Sequence, residues 1–320
     1  MHDPLSIKGL VAAAGLAVGL GAGPALADIN VAATIKPVHS LVAAVMGDVG
    51  EPALMLDGPA SPHVTALRPS QARIVERSDV VFAVGEGLEA FLHELLENDG
   101  GARIVELADA PGVELLDYRE TSDHEDDRDD QDEHDDDNAA EDDGHEHGDT
   151  DPHIWLDPDN AKAMVGHIAA VLGAADPSNA ESYNRNAQDV SRDLDRLERE
   201  LAARLAPVKD RPFLVFHDAY QYLEAHFGLN GLGAIVLNPE TPPGARRLQE
   251  IRHRIGEADV ACVFSEPQFE IGYVTTVLED AGARTASLDP LGVNIDPGPD
   301  AYRQMLTQLT DILADCLAAR

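Results

Sequence analysis

The sequence predicts an α/β protein of two similar lobes, each with a parallel-type sheet flanked by helices, joined by one long linker helix. Three observations support this fold class. Short apolar runs alternate with segments of helical spacing, as in proteins whose parallel strands are connected through helices. The alternation occurs twice, on either side of a long charged helix. A chain of 320 residues is also longer than a single hydrophobic core usually supports.

The first lobe is predicted over residues 28–177. Its strands are short apolar runs bounded by Gly, Pro or polar residues, and they are placed at 29–34, 53–56, 80–84 and 102–106. Helical spacing of apolar residues predicts helices at 37–46, 70–77, 88–96 and 160–172. Ser70 stands where a helix N-cap is expected, because its hydroxyl can accept a hydrogen bond from a first-turn N–H group.

A linker helix is predicted over residues 178–206, with Ser178 capping its start and Pro207 just past its end. Its apolar side chains recur at steps of three and four and comprise Leu194, Leu197, Leu201 and Leu205. The second lobe follows over residues 207–320. Its strands are predicted at 213–216, 233–237, 260–264 and 284–288, and its helices at 245–255, at 273–281 and from 301 onwards.

Residues 1–27 have the features of a secretory signal peptide. Lys8 supplies positive charge, an apolar run covers 10–20, and Ala25-Leu26-Ala27 fits an A-x-A cleavage site. No later segment has 18 uninterrupted apolar residues, the length expected of a membrane span. The mature chain is therefore expected to start at Asp28 and to be soluble outside the cytoplasm.

The stretch from Asp117 to Asp151 is the most unusual part of the chain, with 19 Asp or Glu residues and no Lys. It also holds four histidines, which are His124, His134, His145 and His147. So few apolar residues cannot offset the entropy of ordering the backbone, which predicts a disordered loop. Carboxylates and imidazoles also bind divalent transition metals, so the stretch is either a metal-handling loop or a solvating acidic insert.

The net charge of the whole chain is −36. The acidic stretch contributes 2 − 19 = −17, which leaves −19 on the rest of the sequence. Binding to a phosphate backbone requires basic patches, so nucleic acid is not an expected partner. A negative surface is compatible with gathering cations.

Cys262 and Cys316 are the two cysteines of the chain. In an oxidising compartment an even number of cysteines indicates a disulfide. A zinc site built on the two thiolates is the alternative, but their wide spacing and the lack of a C-x-x-C pair argue against it. We therefore expect a structural disulfide.

Three histidines follow predicted strands, at the sheet edge where open α/β proteins bind ligands. They are His63, His153 and His217, and Asp289 follows the last strand of the second lobe. Three imidazoles and a carboxylate would suit a tetrahedral Zn²⁺ site. Other histidines fall in or near predicted helices with no converging partner and are interpreted as surface or packing residues: His39, His93, His167, His226 and His253.

Five segments of the chain carry a resemblance to a known family: 62–70, 151–158, 216–220, 266–269 and 288–292. Among them are Asp-Pro-His-Ile-Trp-Leu-Asp-Pro, Phe-His-Asp-Ala-Tyr and Glu-Pro-Gln-Phe. In these segments the sequence resembles the ZnuA-like periplasmic zinc-binding proteins of ABC-type importers, within the cluster A-I metal-binding family. A His- and acid-rich loop just before the Asp-Pro-His segment is also characteristic of the zinc members. The resemblance implies two α/β lobes on one rigid helix, with metal held in the cleft between them.

The resemblance implies a ligand set of His63, His153, His217 and Asp289. Manganese-binding relatives tend to have Glu in place of His217, so histidine there resembles the zinc members. Some zinc members carry a Glu just before the first ligand histidine, where this chain has Pro62; the departure favours Asp289 as fourth ligand and leaves a water open. The resemblance also implies that Cys262 and Cys316 form a disulfide between a strand of the second lobe and the terminal helix.

The predicted function is capture of Zn²⁺ in the periplasm and its delivery to the permease of an ABC-type importer in the inner membrane, by a monomer. The four histidines of the acidic stretch are predicted to form weak auxiliary zinc sites. Two alternatives remain. Three histidines and a water could also form the open site of a zinc enzyme, although no H-E-x-x-H helix is present. A metal-binding adhesin could share the same fold.

Overall fold

Two four-stranded parallel sheets organise the protein. The computed structural model describes residues 29–63, 66–92, 101–119, 150–236, 239, 243–269 and 282–319. The strand order is β2-β1-β3-β4 in the first sheet and β6-β5-β7-β8 in the second. The strands of the first sheet are β1 (Val31–Ala33), β2 (Ala53–Leu54), β3 (Val80–Ala83) and β4 (Arg103–Glu106). Those of the second are β5 (Phe213–His217), β6 (Gly231–Val236), β7 (Cys262–Ser265) and β8 (Arg284–Ser287). All the pairings between these strands are parallel, which confirms the predicted fold class.

Seven α-helices lie within the described ranges. They are α1 (Lys36–Met46), α2 (Pro69–Arg77), α3 (Pro158–Ala175), α4 (Ala180–Leu205), α5 (Gln221–Phe227), α6 (Ala245–Glu257) and α7 (Ala301–Ala318). The central strands β1, β3, β5 and β7 are buried along their whole length. This is expected of parallel strands whose two faces are both covered. No helix in these ranges has the length and apolar character needed to cross a membrane.

The 26-residue helix α4 spans both lobes. It packs against α1 and α3 of the first lobe and against α7 of the second. Its buried side chains recur at helical spacing and comprise Tyr183, Ala187, Leu194, Leu197, Leu201 and Leu205. Because one apolar stripe serves both lobes, the helix fixes their relative position.

Two helices begin differently from the sequence-based expectation. Pro69 is the first residue of α2, so Ser70 lies inside the first turn, and the Arg68 N–H donates to Gln71 Oε1 (2.7 Å). At α4 the N-cap position belongs to Asn179. Ser178 lies one residue before that position, and its hydroxyl donates to Asp176 Oδ1 (2.6 Å).

Some predicted features lie outside the described residues. These are the signal peptide (1–27), the helix predicted at 273–281, most of the helix predicted at 88–96, and nearly all of the acidic stretch. The two ends of that stretch are described, and Asp117 pairs with Thr150 in an antiparallel bridge. The two ends of the stretch therefore lie next to each other on the first lobe.

The second lobe carries the predicted disulfide, between Cys262 of β7 and Cys316 of α7. Arg284 of β8 donates to the carbonyl oxygen of Cys316 from both Nε (3.2 Å) and Nη2 (2.6 Å). Helix α7 is thus fastened to the sheet both covalently and by hydrogen bonds, at its C-terminal end.

A buried lysine connects the first lobe to a loop of the second. Lys36, in the first turn of α1, is 5% exposed, and its Nζ lies 3.5 Å from Asp57 Oδ1. The same ammonium donates to three backbone carbonyl oxygens, those of Gly292 (3.0 Å), Val293 (3.1 Å) and Ile295 (2.8 Å). All three N–H donors of Lys36 are matched with acceptors from the opposite lobe.

Glu89 is expected to make the stability of the first lobe depend on pH. The side chain is fully buried, and burial raises the pKa of its carboxyl to about 7. The folded state therefore binds this proton more tightly than the unfolded state, where the pKa is about 4.3. Its contribution to stability is present below pH ~4.3 and is lost as the pH rises through about 7. We expect Glu89→Gln to reduce the loss of unfolding free energy between pH 5 and 8 by on the order of 3 kcal/mol.

Denaturant unfolding at the two pH values measures this difference. Gln keeps an acceptor for the Gly85 N–H, which now donates to Glu89 Oε2 (2.9 Å). The exposed residue Glu51 provides the matched control, since Glu51→Gln should leave the pH dependence as it is in the unmodified protein. If the unfolding free energies of Glu89→Gln and Glu51→Gln depend on pH to the same extent, Glu89 is not the source of the pH dependence.

Candidate metal centre

Three histidines converge between the lobes. His63 lies in the loop after β2, His153 directly precedes a short 3₁₀ turn (Ile154–Leu156), and His217 is the last residue of β5. They are grouped so that one ring nitrogen of each lies within 4.8 Å of the others. Two come from the first lobe and one from the second, so the group bridges the cleft. These are the three imidazoles that the sequence predicts as ligands.

Carboxylates orient two of the three rings. Asp151 Oδ1 accepts from His153 Nδ1 (2.7 Å), and Glu266 Oε1 accepts from His217 Nδ1 (3.1 Å). A proton held on Nδ1 leaves the lone pair of Nε2 for a metal, the usual arrangement around histidine ligands. The two Nε2 atoms face each other at 3.1 Å. Both rings therefore direct their free nitrogens into the same small space.

His63 completes the group with a nitrogen that lacks a protein partner. Its Nε2 is buried and has no hydrogen-bond partner among the described residues. Burial, followed by the nearby rings of His153 and His217, lowers the pKa of His63 to about 2. The imidazole is therefore neutral at physiological pH, as a metal ligand must be. A buried, unpartnered lone pair beside two others favours a cation in this space.

The surrounding walls are largely apolar. The pocket is lined by Pro62, Trp155, Phe269, Pro290 and Leu291, together with Glu266 and Gln268. The Trp155 indole packs against the His153 ring, and its Nε1 donates to the Pro290 carbonyl (2.9 Å) across the cleft. A shell that limits water strengthens the interaction of a bound cation with its ligands.

Asp289 lies beside this group rather than in it. Its Oδ1 accepts from Gln268 Nε2 (3.0 Å) and from the Leu291 N–H (3.2 Å), and its Oδ2 accepts from the Val293 N–H (2.6 Å). These bonds hold the carboxylate within its own loop. A direct role for Asp289 as fourth ligand thus stays a prediction.

The base of the acidic stretch is anchored next to the histidines. Arg119 Nη2 contacts Glu224 Oε2 (2.7 Å) and Asp218 Oδ1 (3.4 Å) of the second lobe. The Tyr222 hydroxyl donates to the Asp151 carbonyl (2.7 Å). Near its start, the stretch contacts Asp218, the neighbour of His217. At its end, Asp151 lies two residues before His153. The predicted auxiliary ligands His124, His134, His145 and His147 themselves lie outside the described residues.

One histidine interpreted as lacking partners has several, so that interpretation is wrong. His226, near the end of α5, contacts Asp157 Oδ1 (2.9 Å) through Nδ1 and Glu198 Oε1 (3.5 Å) through Nε2. Asp159 is also nearby, and Lys162 bridges Asp159 and Glu198. Hydrogen bonding to Asp157 raises the pKa of His226. The group is best described as an ion-pair network across the lobes.

Among the remaining histidines, His39 is buried with Nε2 against the Pro52 carbonyl (3.0 Å), and His253 is exposed on α6. His167 lies on α3, and His93 lies outside the described residues. Sequence reasoning gave no role to Asp151 or Gln268. The Asp-x-His spacing of Asp151 and His153 was the available signal for the first, whereas the contact of Gln268 with Asp289 spans 21 residues and left no local pattern.

Two α/β lobes with histidines from both converging in one cleft define a substrate-binding protein built to hold a metal ion. Residues 31–316 match the sequence model of the family described as zinc-uptake complex component A, periplasmic (ZnuA). The chain belongs to the ZnuA family.

Curated relatives support the same family assignment. The chain is 46% identical to the high-affinity zinc uptake system protein ZnuA of Brucella suis biovar 1, over 90% of this chain and 92% of the relative. It is 40% identical to the protein of the same name from Paracoccus denitrificans, over 95% and 96% of the two chains. A crystal structure of ZnuA matches with a TM-score of 0.72 at 23% identity, over 90% of this chain and 98% of that one. The structural match shows the common fold.

Family membership also decides between the binding-protein and enzyme interpretations. The ZnuA family consists of substrate-binding transport proteins. The chain is therefore a transport component and not a zinc enzyme, and the adhesin alternative is likewise disfavoured.

Proposed function

We propose that this protein captures Zn²⁺ in the periplasm and delivers it to the permease of an ABC-type importer. The observation that carries the proposal is the group of His63, His153 and His217, whose ring nitrogens converge in one cleft. Neutral nitrogen ligands favour Zn²⁺ over Mg²⁺ or Mn²⁺, which prefer oxygen. The printed names of the relatives, which describe high-affinity zinc uptake, support the same cargo.

The proposed shell consists of the three histidines and Asp289. Three neutral imidazoles and one carboxylate around Zn²⁺ leave a net charge of +1. Buried carboxylates beyond the shell lie close enough to offset this charge, since Asp151 and Glu266 each bind the far nitrogen of a ligand ring. Closure by a protein carboxylate distinguishes a binding site from an open catalytic one.

The acidic stretch is proposed to provide weak, exchangeable zinc sites through His124, His134, His145 and His147. The anchoring of its base by Arg119 beside the cleft supports this role. A high density of negative charge raises the local concentration of cations and so increases the rate of capture. The protein is further proposed to act as a monomer, after cleavage of residues 1–27.

Competitive titration with Zn²⁺ and a chromogenic chelator tests the proposal on purified residues 28–320. We expect one tight site together with weaker sites. Deleting residues 121–149 should remove the weak sites and leave the tight site unchanged, because none of the four proposed ligands lies in the deleted segment. If the tight site is also lost, the segment contributes a ligand and the proposed shell is wrong. A protein with no tight site at all would refute the zinc-binding function.

A further inference from the structure

Gln268 touches both the metal pocket and Asp289. Its side chain lines the pocket with the three histidines, and its Nε2 donates to Asp289 Oδ1 at 3.0 Å. The orientation of the amide follows from chemistry, because an ionised carboxylate only accepts hydrogen bonds and so must face the NH₂ group. Gln268 therefore acts on one particular oxygen of Asp289.

The hydrogen bonds to Asp289 leave its two oxygens unequal. A carboxylate has about four lone-pair positions, two on each oxygen. Oδ1 accepts from both Gln268 Nε2 and the Leu291 N–H, which fills its two positions. Oδ2 accepts from the Val293 N–H (2.6 Å), which leaves one position free on that oxygen. A metal that reaches Oδ2 would therefore coordinate it without breaking any of these bonds.

We propose that Gln268 determines metal specificity by restricting Asp289 to a single coordinating oxygen. The inference rests on the proposed function, in which Asp289 is the fourth ligand. One oxygen and three imidazole nitrogens give a four-coordinate shell, the tetrahedral arrangement that Zn²⁺ adopts in closed sites. If both oxygens could coordinate, the shell would gain a fifth ligand and become more suitable for Mn²⁺, which favours oxygen-rich shells of higher coordination number.

The location of Gln268 in the chain suits this role. It follows β7 in the segment Glu266-Pro267-Gln268-Phe269. In that segment Glu266 accepts from His217 Nδ1, and the Phe269 ring packs on the His217 ring at a centroid distance of 5.8 Å. The same short segment therefore contacts both His217, at the end of β5, and Asp289, in the loop after β8. Because Glu266 and Phe269 on either side of Gln268 both contact His217, the position of Gln268 relative to His217 is restricted.

The substitution Gln268→Leu tests the proposal, because leucine occupies a similar volume and has no N–H donor. The affinities for Zn²⁺ and Mn²⁺ are measured by competition with a chelator, and the coordination number is followed by the visible absorption of bound Co²⁺. We expect the preference for Zn²⁺ over Mn²⁺ to fall by roughly 10-fold or more, the scale of effect for residues that orient metal ligands. The intense visible bands of four-coordinate Co²⁺ should weaken as a fifth ligand is added.

An unchanged Zn²⁺/Mn²⁺ ratio overturns the proposal. A purely structural defect would lower both affinities together and leave the ratio and the Co²⁺ spectrum as they were. That outcome also counts against the proposal. Gln188→Leu, at an exposed position on α4, is the matched control and should alter neither measurement.

The variant Asp289→Asn distinguishes a failure of this inference from a failure of the proposed zinc-binding function. If that variant keeps its zinc affinity and Co²⁺ spectrum while His217→Ala loses the tight site, zinc capture stands and the role of Gln268 fails. If His217→Ala also keeps the tight site, the proposed function itself fails.

Discussion

The variant His217→Ala is expected to lose tight zinc binding, with an affinity reduced by more than about 100-fold, the upper end of the effect of removing only a supporting residue. His217 Nε2 lies 3.1 Å from His153 Nε2, at the centre of the histidine group. Its removal takes away one of the three imidazole ligands and leaves the buried Glu266 carboxylate without the ring that it orients. Competitive titration with Zn²⁺ measures the loss.

Two further variants make the result specific. His253→Ala removes an exposed imidazole and should bind zinc like the unmodified protein. Glu266→Gln keeps His217 and an acceptor for its Nδ1 but removes the negative charge, and it should weaken binding by roughly 10- to 100-fold. A His217→Ala protein that is folded and still binds one Zn²⁺ tightly would rule out His217 as a ligand.

Replacing both cysteines, in the variant Cys262→Ala/Cys316→Ala, is expected to lower the free energy of unfolding by about 4 kcal/mol. The disulfide joins residues separated by 54 positions. Opening a loop of this length returns conformational entropy to the unfolded chain, and this entropy is the source of the expected loss in the chain-entropy model. Denaturant unfolding of the oxidised protein and the double variant gives the difference.

The unmodified protein under reducing conditions provides the control, because it should unfold at the same denaturant concentration as the double variant. Neither cysteine lines the metal pocket, so zinc affinity below the unfolding transition should be unaffected. If the oxidised protein and the double variant unfold at the same denaturant concentration, the disulfide contributes nothing to stability.

Apolar runs were sufficient to predict most of the sheet architecture. Strands such as Val80–Ala83 and Phe213–His217 are buried on both faces, so every residue in them except His217 is apolar and the run is easily recognised. Helix starts were predicted less well. A capping serine is recognisable by residue type but its exact position is not, and the helix expected to be capped by Ser178 has Asn179 at its N-cap.

The histidine group was predictable because its members stand in recognisable motifs near strand ends. The hydrogen bonds that organise it were not. The contact of Gln268 with Asp289 and the ion pairs of His226 join residues that are distant in sequence. Such contacts depend on how the two lobes are placed against each other, which no local pattern reports.

The buried ammonium of Lys36 has a consequence for how quickly a bound ion can leave. Its three carbonyl acceptors belong to the loop that follows Asp289. Spreading the cleft at this point would break all three hydrogen bonds of the ammonium, which opposes separation of the lobes. We therefore expect separation of the lobes, and with it spontaneous escape of the cargo, to be unfavourable in the free protein. A partner that binds the opened form would offset this cost, so we expect release to depend on the complex rather than on the free carrier alone.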